Sequence, residues 1–139
     1  MAISNEEALS AVQEAVVGAL GVDEEEATPD ATLLGDLGAE SIDLLDILFR
    51  LERSIKIKIQ AAQLAEYVQG GIPDDQFGDA DEVITEVGLT QLKKVMPQID
   101  MDALRGKLAA RQVMSLFTVD NLVDLVMYRI SVDAVPTSA

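Results

Sequence analysis

The sequence predicts an all-α protein, a bundle of short helices joined by at least one long loop. Its 139 residues match the size of one ordinary domain. Apolar residues make up 49% of the chain, enough for a core, and most recur at three- and four-residue steps. The one alternating run, at residues 55–59, is too short and isolated to predict a sheet.

The first helix is predicted over residues 5–20. Ser4 and Glu7 form a capping-box pattern in front of an apolar stripe, and Gly21 is a typical stop after the last turn. Residues 22–40 then combine acids, a proline and two glycines, which interrupt helical periodicity. We therefore predict a long ordered loop there. Three leucines are expected to pin it to the core: Leu33, Leu34 and Leu37.

The second helix is predicted from Ser41 to about Ser54, because apolar residues follow Ser41 at helical spacing. Residues 55–59 alternate isoleucine with lysine, a local strand pattern. Since a single short strand lacks a partner, we predict an extended connector.

The rest of the chain is again helical in pattern. One helix is predicted over residues 61–69 and closed by Gly70. A longer one is predicted over residues 79–96, bent near Gly88 and stopped by Pro97.

Two further helices complete the predicted bundle. Residues 100–111 form the first, with Asp100 or Asp102 as its cap. The last helix starts after Thr118, and its residues 121–130 carry the inward-facing apolar positions. Residues 131–139 are predicted to be a frayed tail. Three apolar residues of the last helix are expected to face inward: Leu122, Leu125 and Val126.

Composition excludes several classes of function. Acids outnumber bases 25 to 10, and the net charge of −15 repels nucleic-acid phosphates and anionic membrane surfaces while attracting basic proteins. The chain has no histidine and no cysteine, so it cannot form a Ser-His or Cys-His nucleophile pair or a Cys/His zinc site. The acidic clusters lack the ligand spacing of a calcium loop, so no metal site is predicted.

The expected location is the cytoplasm. Residues 1–7 lack the positive start and apolar core of a secretory signal. No apolar run approaches the ~20 residues that a membrane helix needs. We expect a monomer that binds neither nucleic acid nor membrane.

The most informative segment is Leu37-Gly38-Ala39-Glu40-Ser41-Ile42-Asp43. It places a hydroxyl at the first turn of a helix, where free N–H groups and the positive end of the helix dipole favour a phosphate ester. An arbitrary serine in this position would more often be a simple N-cap.

This segment resembles the attachment motif of acyl carrier proteins, Leu-Gly-x-Asp-Ser-Leu-Asp, whose serine carries 4′-phosphopantetheine. Glu40 and Ile42 are conservative departures from it. The resemblance extends over roughly residues 5–59 and 116–131. It implies that a phosphopantetheinyl transferase modifies Ser41, that acyl groups are carried as thioesters, and that the protein itself catalyses nothing.

The resemblance also implies a docking face for acyl-processing enzymes that have basic patches. Phe49 could be an exposed contact for partners or part of the core. Arg50 and Arg53 depart from the family, whose second helix tends to be neutral or acidic. The expected docking residues are Asp36, Glu40, Asp43, Asp46, Phe49 and Glu52.

The predicted domain organisation rests on the same resemblance. Residues 1–59 and 116–131 form an acyl-carrier-like helical domain, residues 60–115 form an extra helical lobe packed on it, and residues 132–139 form the frayed tail. The lobe could simply bury its own apolar residues, or it could enlarge the cavity for a long acyl chain.

The predicted function is an acyl carrier for a specialised fatty-acid or lipid pathway. The motif does not name the cargo, so an aminoacyl or polyketide carrier is the first alternative. A second alternative is an acidic helical adaptor without a prosthetic group, and an enzyme that uses only carboxylates comes third.

Overall fold

The computed structural model describes residues 4–134, with the side chains of Ser41 and of residues 132–134 excepted. Within that range the chain forms seven α-helices and one 3₁₀ helix, and its only β-pairings are isolated bridges. The all-α prediction is confirmed. The α-helices are α1 (Asn5–Leu20), α2 (Ser41–Ile55), α3 (Ala61–Gln69), α4 (Asp74–Phe77), α5 (Glu86–Val95), α6 (Met101–Leu104) and α7 (Val119–Ala134), and the 3₁₀ helix spans Ala110–Leu116.

Helix α1 has the predicted bounds and the predicted cap. The Glu7 N–H donates to Ser4 Oγ at 3.1 Å, and the Ser4 N–H donates back to the Glu7 carboxylate at 3.2 Å. Gly21 ends the helix in the left-handed region, with φ of 70°. The apolar face of α1 packs on α2 and α7. Its buried members are Ala8, Val12, Ala15 and Val16.

The long loop between α1 and α2 is ordered by backbone hydrogen bonds to the start of α7. The Leu33 N–H donates to the Phe117 carbonyl at 3.0 Å, and the Val119 N–H donates to the Ala31 carbonyl at 2.9 Å. Leu33 is fully buried. The other two leucines predicted to pin the loop, Leu34 and Leu37, are half-buried against the core.

Helix α2 extends one residue beyond its predicted end, so Ile55 belongs to the helix and not to the connector. Lys56 takes a left-handed conformation with φ of 58° and terminates the helix. Residues 56–60 have no regular secondary structure, which confirms a connector there. Ile57 and Ile59 are buried while the intervening lysine is exposed.

The prediction that residues 79–96 form one helix is wrong in its first part, because α5 begins only at Glu86. The Asp79 carboxylate accepts hydrogen bonds from the N–H groups of Asp81 and Val83, at 2.8 and 3.0 Å. These short-range bonds compete with helix formation and fold the segment into a turn.

The start of α5 also explains why the predicted bend does not occur. Thr85 Oγ1 accepts a hydrogen bond from the Gly88 N–H at 3.1 Å, so Thr85 is the N-cap and Gly88 lies in the first turn. The helix ends at Val95, shortly before Pro97, as predicted.

The helix predicted over residues 100–111 is mostly wrong. Asp100 caps α6 as predicted, but α6 ends after one turn at Leu104. Gly106 has φ of 76°, a conformation outside the helix, and the chain resumes as the 3₁₀ helix. Helix α3, by contrast, has its predicted bounds.

Helix α7 begins at Val119, directly after Thr118 as predicted, and is longer than predicted at its C-terminal end. The helix buries the three apolar residues predicted to face inward. It continues to Ala134, so the prediction of a frayed tail is wrong for residues 131–134; residues 135–139 lie outside the described range. No glycine or proline occurs between Ile130 and Ala134 to end the helix earlier.

Two amide side chains join the segment after α5 to the start of α7. Asn121 is buried and Gln98 is exposed, and their side chains form two reciprocal hydrogen bonds, at 2.7 and 3.2 Å. Asn121 also accepts from the Thr118 N–H at 2.9 Å and donates to the Val95 carbonyl at 3.3 Å. The buried apolar side chains of the whole described range form one core cluster. Because this cluster includes residues from the predicted lobe as well as from the rest of the chain, it does not divide the chain into two parts. The domain division, with a lobe at residues 60–115, stays a prediction.

Candidate functional site

The candidate site lies where the long loop enters α2. Gly38 turns the chain with φ of 72°, and the Ala39 N–H donates to the Leu33 carbonyl at 2.9 Å. Ser41 is the first residue of α2, and both of its chain neighbours, Glu40 and Ile42, are exposed. The predicted attachment residue therefore opens a helix at the surface of the bundle.

Asp36 has a structural role in the loop before this helix. Its carboxylate accepts a hydrogen bond from the Thr32 N–H at 2.9 Å, and its own N–H donates to Thr32 Oγ1 at 2.8 Å. These reciprocal bonds close a compact turn. The carboxylate remains exposed, so it can still attract a basic partner.

Two of the acids on α2 also have local partners. Asp43 accepts from the Glu40 N–H at 2.9 Å, which stabilises the first turn of the helix. Asp46 pairs with Arg50 across one turn at 3.3 Å. Glu52 is half-exposed further along the helix.

The two arginines that depart from the family pattern, Arg50 and Arg53, lie on the side of α2 that faces α1. The Arg50 guanidinium lies over Gly18 of α1, where a Cβ would come within 2.5 Å of its Nη1. Arg50 and Arg53 line a shallow groove between α1 and α2 together with Glu14. The positive charge of the two arginines therefore lies next to α1.

An exposed apolar stripe follows Ser41 along α2. Ile42 is 70% exposed, Leu45 43% and Phe49 63%. Their spacing of three and four residues puts all three on one face. We call this surface the α2 stripe. Phe49 is thus exposed, and the alternative that it belongs to the core is wrong.

Sequence reasoning missed Ile42 and Leu45 as members of this surface, because helical spacing predicts the helix but not which of its apolar residues are exposed. The opposite side of α2 supplies the buried residues, Ile47, Leu48 and Leu51. The sequence shows only that α2 carries more apolar residues than one buried face can hold, and not which of them are exposed. The surplus lies directly after Ser41.

The described part of the chain shows no competing metal or membrane feature. Among residues 4–134, no group of three or more acidic side chains is arranged to hold a metal ion. No helix in that range is both long and apolar enough to cross a bilayer.

The arrangement fits a covalently attached phosphate ester. A group joined to the first residue of a helix lies beside the N–H groups of the first turn, which attract negative charge. The exposure of Glu40 and Ile42 leaves this end of α2 open to a modifying enzyme. Ser41 is the residue that would hold 4′-phosphopantetheine here.

Comparison with known proteins agrees with this geometry. The family model described as "Phosphopantetheine attachment site" matches residues 10–69. An acyl carrier protein of Thermotoga maritima is 41% identical over 61 residues, which cover 44% of this chain and 75% of that protein. Acyl carrier proteins of Rubrobacter xylanophilus and Solidesulfovibrio magneticus are each 40% identical; the matches cover 41% and 44% of this chain, and 70% and 81% of those proteins.

No solved structure gives a significant match to this chain. The curated relatives are nevertheless covered over more than two thirds of their length, and the matched family model spans the loop, α2 and Ser41. This chain belongs to the acyl carrier protein family.

Proposed function

We propose that Ser41 carries 4′-phosphopantetheine and that the protein transports acyl intermediates as thioesters in a specialised fatty-acid or lipid pathway. Family membership implies the covalent prosthetic group, a transferase that attaches it and acyl-processing enzymes that use it. The observation that carries the proposal for Ser41 is its position: it opens α2 between two exposed residues, inside the matched attachment region.

The prosthetic group supplies a terminal thiol, which a chain without cysteine otherwise lacks. The residues of the chain present that group. Gly38 allows the turn into α2, and the bond from Ala39 to Leu33 holds this turn against the buried part of the loop. The start of α2 is therefore fixed relative to the core, and the residues Glu40 and Ile42 there are exposed.

The α2 stripe and its flanking acids form the proposed docking surface. Burial of a side chain such as Phe, Leu or Ile contributes about 1.5–3 kcal/mol, whereas an exposed ion pair contributes about 0–1 kcal/mol. Affinity should therefore depend mainly on Ile42, Leu45 and Phe49. The acids Asp36, Glu40, Asp43, Asp46 and Glu52 would chiefly steer basic partners toward the stripe.

Modification of Ser41 can be tested by co-expression with a phosphopantetheinyl transferase and measurement of the intact mass. The wild-type protein should gain the mass of one phosphopantetheine group. Ser41→Ala should abolish the gain because the attacking hydroxyl is absent, while Ser54→Ala at the exposed far end of the same helix should keep it.

The same measurement separates the alternatives. A wild-type protein that stays unmodified with several transferases would contradict the carrier proposal and favour an acidic adaptor. A mass gain that persists in Ser41→Ala would place the attachment on another residue. Mass spectrometry of the cargo after expression with pathway enzymes would distinguish fatty-acyl from aminoacyl or polyketide loading.

A further inference from the structure

A cleft of about 240 Å³ separates the loop before α2 from the segment around α6. It is lined by Thr32 and Leu116, and by Ile99, Ala103 and Leu104. Its apolar lining is supplied by Leu116, Ile99, Ala103 and Leu104, and the other five lining residues are polar or charged. Thr32 and Leu116 belong to the region that resembles the family, and the other three named residues belong to the predicted lobe. We call this space the lobe cleft.

The wall of the lobe cleft is held in place by hydrogen bonds. The Lys93 ammonium donates to the carbonyls of Pro97 and Ile99, both at 2.7 Å. Gln98 donates to the Leu116 carbonyl at 3.2 Å and bonds to the buried Asn121. A cleft whose walls are fixed in this way costs little to organise for a ligand.

The cleft lies within reach of a chain tethered at Ser41. The Ala39 N–H bonds to the Leu33 carbonyl at 2.9 Å, and Leu33 is adjacent to Thr32 in the cleft wall. Adding standard backbone distances along this path puts the Cα atoms of Thr32 and Ser41 at most about 18 Å apart. A phosphopantetheine arm has the length of four or five extended residues, about 15 Å, before any acyl chain is added.

From these observations we propose that the lobe cleft is a subsite for the hydrocarbon tail of an acyl group attached through Ser41. The inference rests on the proposed carrier function. At the ~30 Å³ that one small group such as a water molecule occupies in a liquid, the cleft holds about eight methylene groups. Two carboxylates at its edge, Asp30 and Asp100, would repel a free fatty acid but not a neutral thioester.

The test uses the full chain loaded at Ser41 by a transferase supplied with acetyl- or octanoyl-coenzyme A. Intact mass first establishes that each group is attached. Methyl NMR should then show shifts at Ile99 and Leu104 with octanoyl but not with acetyl. Val87, which is exposed on α5 and does not line the cleft, should not shift with either group.

A variant that fills the cleft supplies the control. Ala103 is exposed, so Ala103→Phe should occupy the cleft without disturbing the buried core. It should remove the octanoyl-dependent shift at Leu104 and the rise in Tm of about 4 °C that we expect from burial of the tail. Ala62→Phe on the exposed face of α3 should change neither. If Ala103→Phe unfolds, Ala103→Leu should still reduce both effects.

The outcomes are distinguishable. A protein that gains no mass contradicts the carrier function and the subsite together. A loaded protein whose Ile99 and Leu104 signals are equal for acetyl and octanoyl, or unchanged by Ala103→Phe, leaves the carrier function intact and overturns the subsite. Shifts confined to the wild-type octanoyl form establish it.

Discussion

Replacement of Asn121 by alanine should destabilise the protein far more than replacement of its partner Gln98. Asn121 is only 2% exposed, and its side chain satisfies the Thr118 N–H and the Val95 carbonyl. Both groups belong to buried residues at the junction between α5 and α7. The alanine variant therefore leaves two buried backbone groups without their side-chain partner.

The expected magnitude follows from those two groups. A buried donor or acceptor that loses its partner costs about 1–3 kcal/mol, so Asn121→Ala, which affects two such groups, should lower the free energy of unfolding by about 2–6 kcal/mol. That is a large fraction of the ~5–15 kcal/mol typical of a whole domain. Gln98 is exposed, and water can replace it, so Gln98→Ala should cost only about 0.5–1.5 kcal/mol.

Urea unfolding followed by circular dichroism measures both variants. The double variant gives the coupling between the two amides, which should be clearly above zero because they bond each other directly. Asn121→Asp is a nearly isosteric control: it keeps an acceptor for Thr118 but loses the donor to Val95, so it should also be destabilising. Equal costs for Asn121→Ala and Gln98→Ala, or a cost below 1 kcal/mol for the former, would refute this reasoning.

Two further predictions concern the docking surface and a surface ion pair. Phe49→Ala should raise the KM of a phosphopantetheinyl transferase for this protein roughly tenfold through the loss of buried apolar contact. Val87→Ala, a truncation at an exposed apolar residue outside α2, should leave that KM unchanged; equal effects would argue against the α2 stripe. Arg105 bonds to Glu86 at 2.6 and 2.9 Å and lowers the pKa of that carboxyl. Arg105→Ala should therefore raise the pKa of Glu86 toward its ordinary value, measured by NMR titration. Because the pKa of Glu86 is lower in the folded state, the stabilisation from this pair is present above the unfolded pKa and disappears as pH falls through the folded pKa. A difference in unfolding free energy between wild type and Arg105→Ala that persists unchanged in acid would contradict the assignment.

The helices with strong local end signals were predictable from sequence. Helix α1 has a capping box at Ser4 and a glycine stop at Gly21, and both operate in the structure as their chemistry predicts. Helix α3 is likewise closed by Gly70 in a left-handed conformation. These signals act between residues close in sequence, so no knowledge of tertiary packing is needed.

Residues 60–115 were harder to predict because their turns depend on side chains that can bond in more than one way. Asp79 could have capped a helix, but it accepts from two N–H groups of a turn instead. The residues after that turn also bond to a segment that is distant in sequence, since the Ile84 N–H donates to the Leu108 carbonyl at 2.8 Å. Periodicity contains no information on such a contact.

The position of Ser41 was predictable, whereas the exposed stripe beside it was not. The motif places the serine at the start of a helix, and local spacing is sufficient for that inference. Exposure of Ile42 and Leu45 depends on which face of α2 meets α1, and apolar residues occur on both faces. Only the packing of the whole bundle decides between them.

The hydrogen bonds between the long loop and the start of α7 join segments from opposite halves of the chain. The loop before Ser41 cannot reach its final form until residues 117–119 have been synthesised and have left the ribosome, since Leu33 and Ala31 bond to them. A nascent chain of which only α1 and α2 have left the ribosome therefore lacks the finished loop that a phosphopantetheinyl transferase would meet. Attachment of a prosthetic group at this helix should consequently follow translation instead of accompanying it.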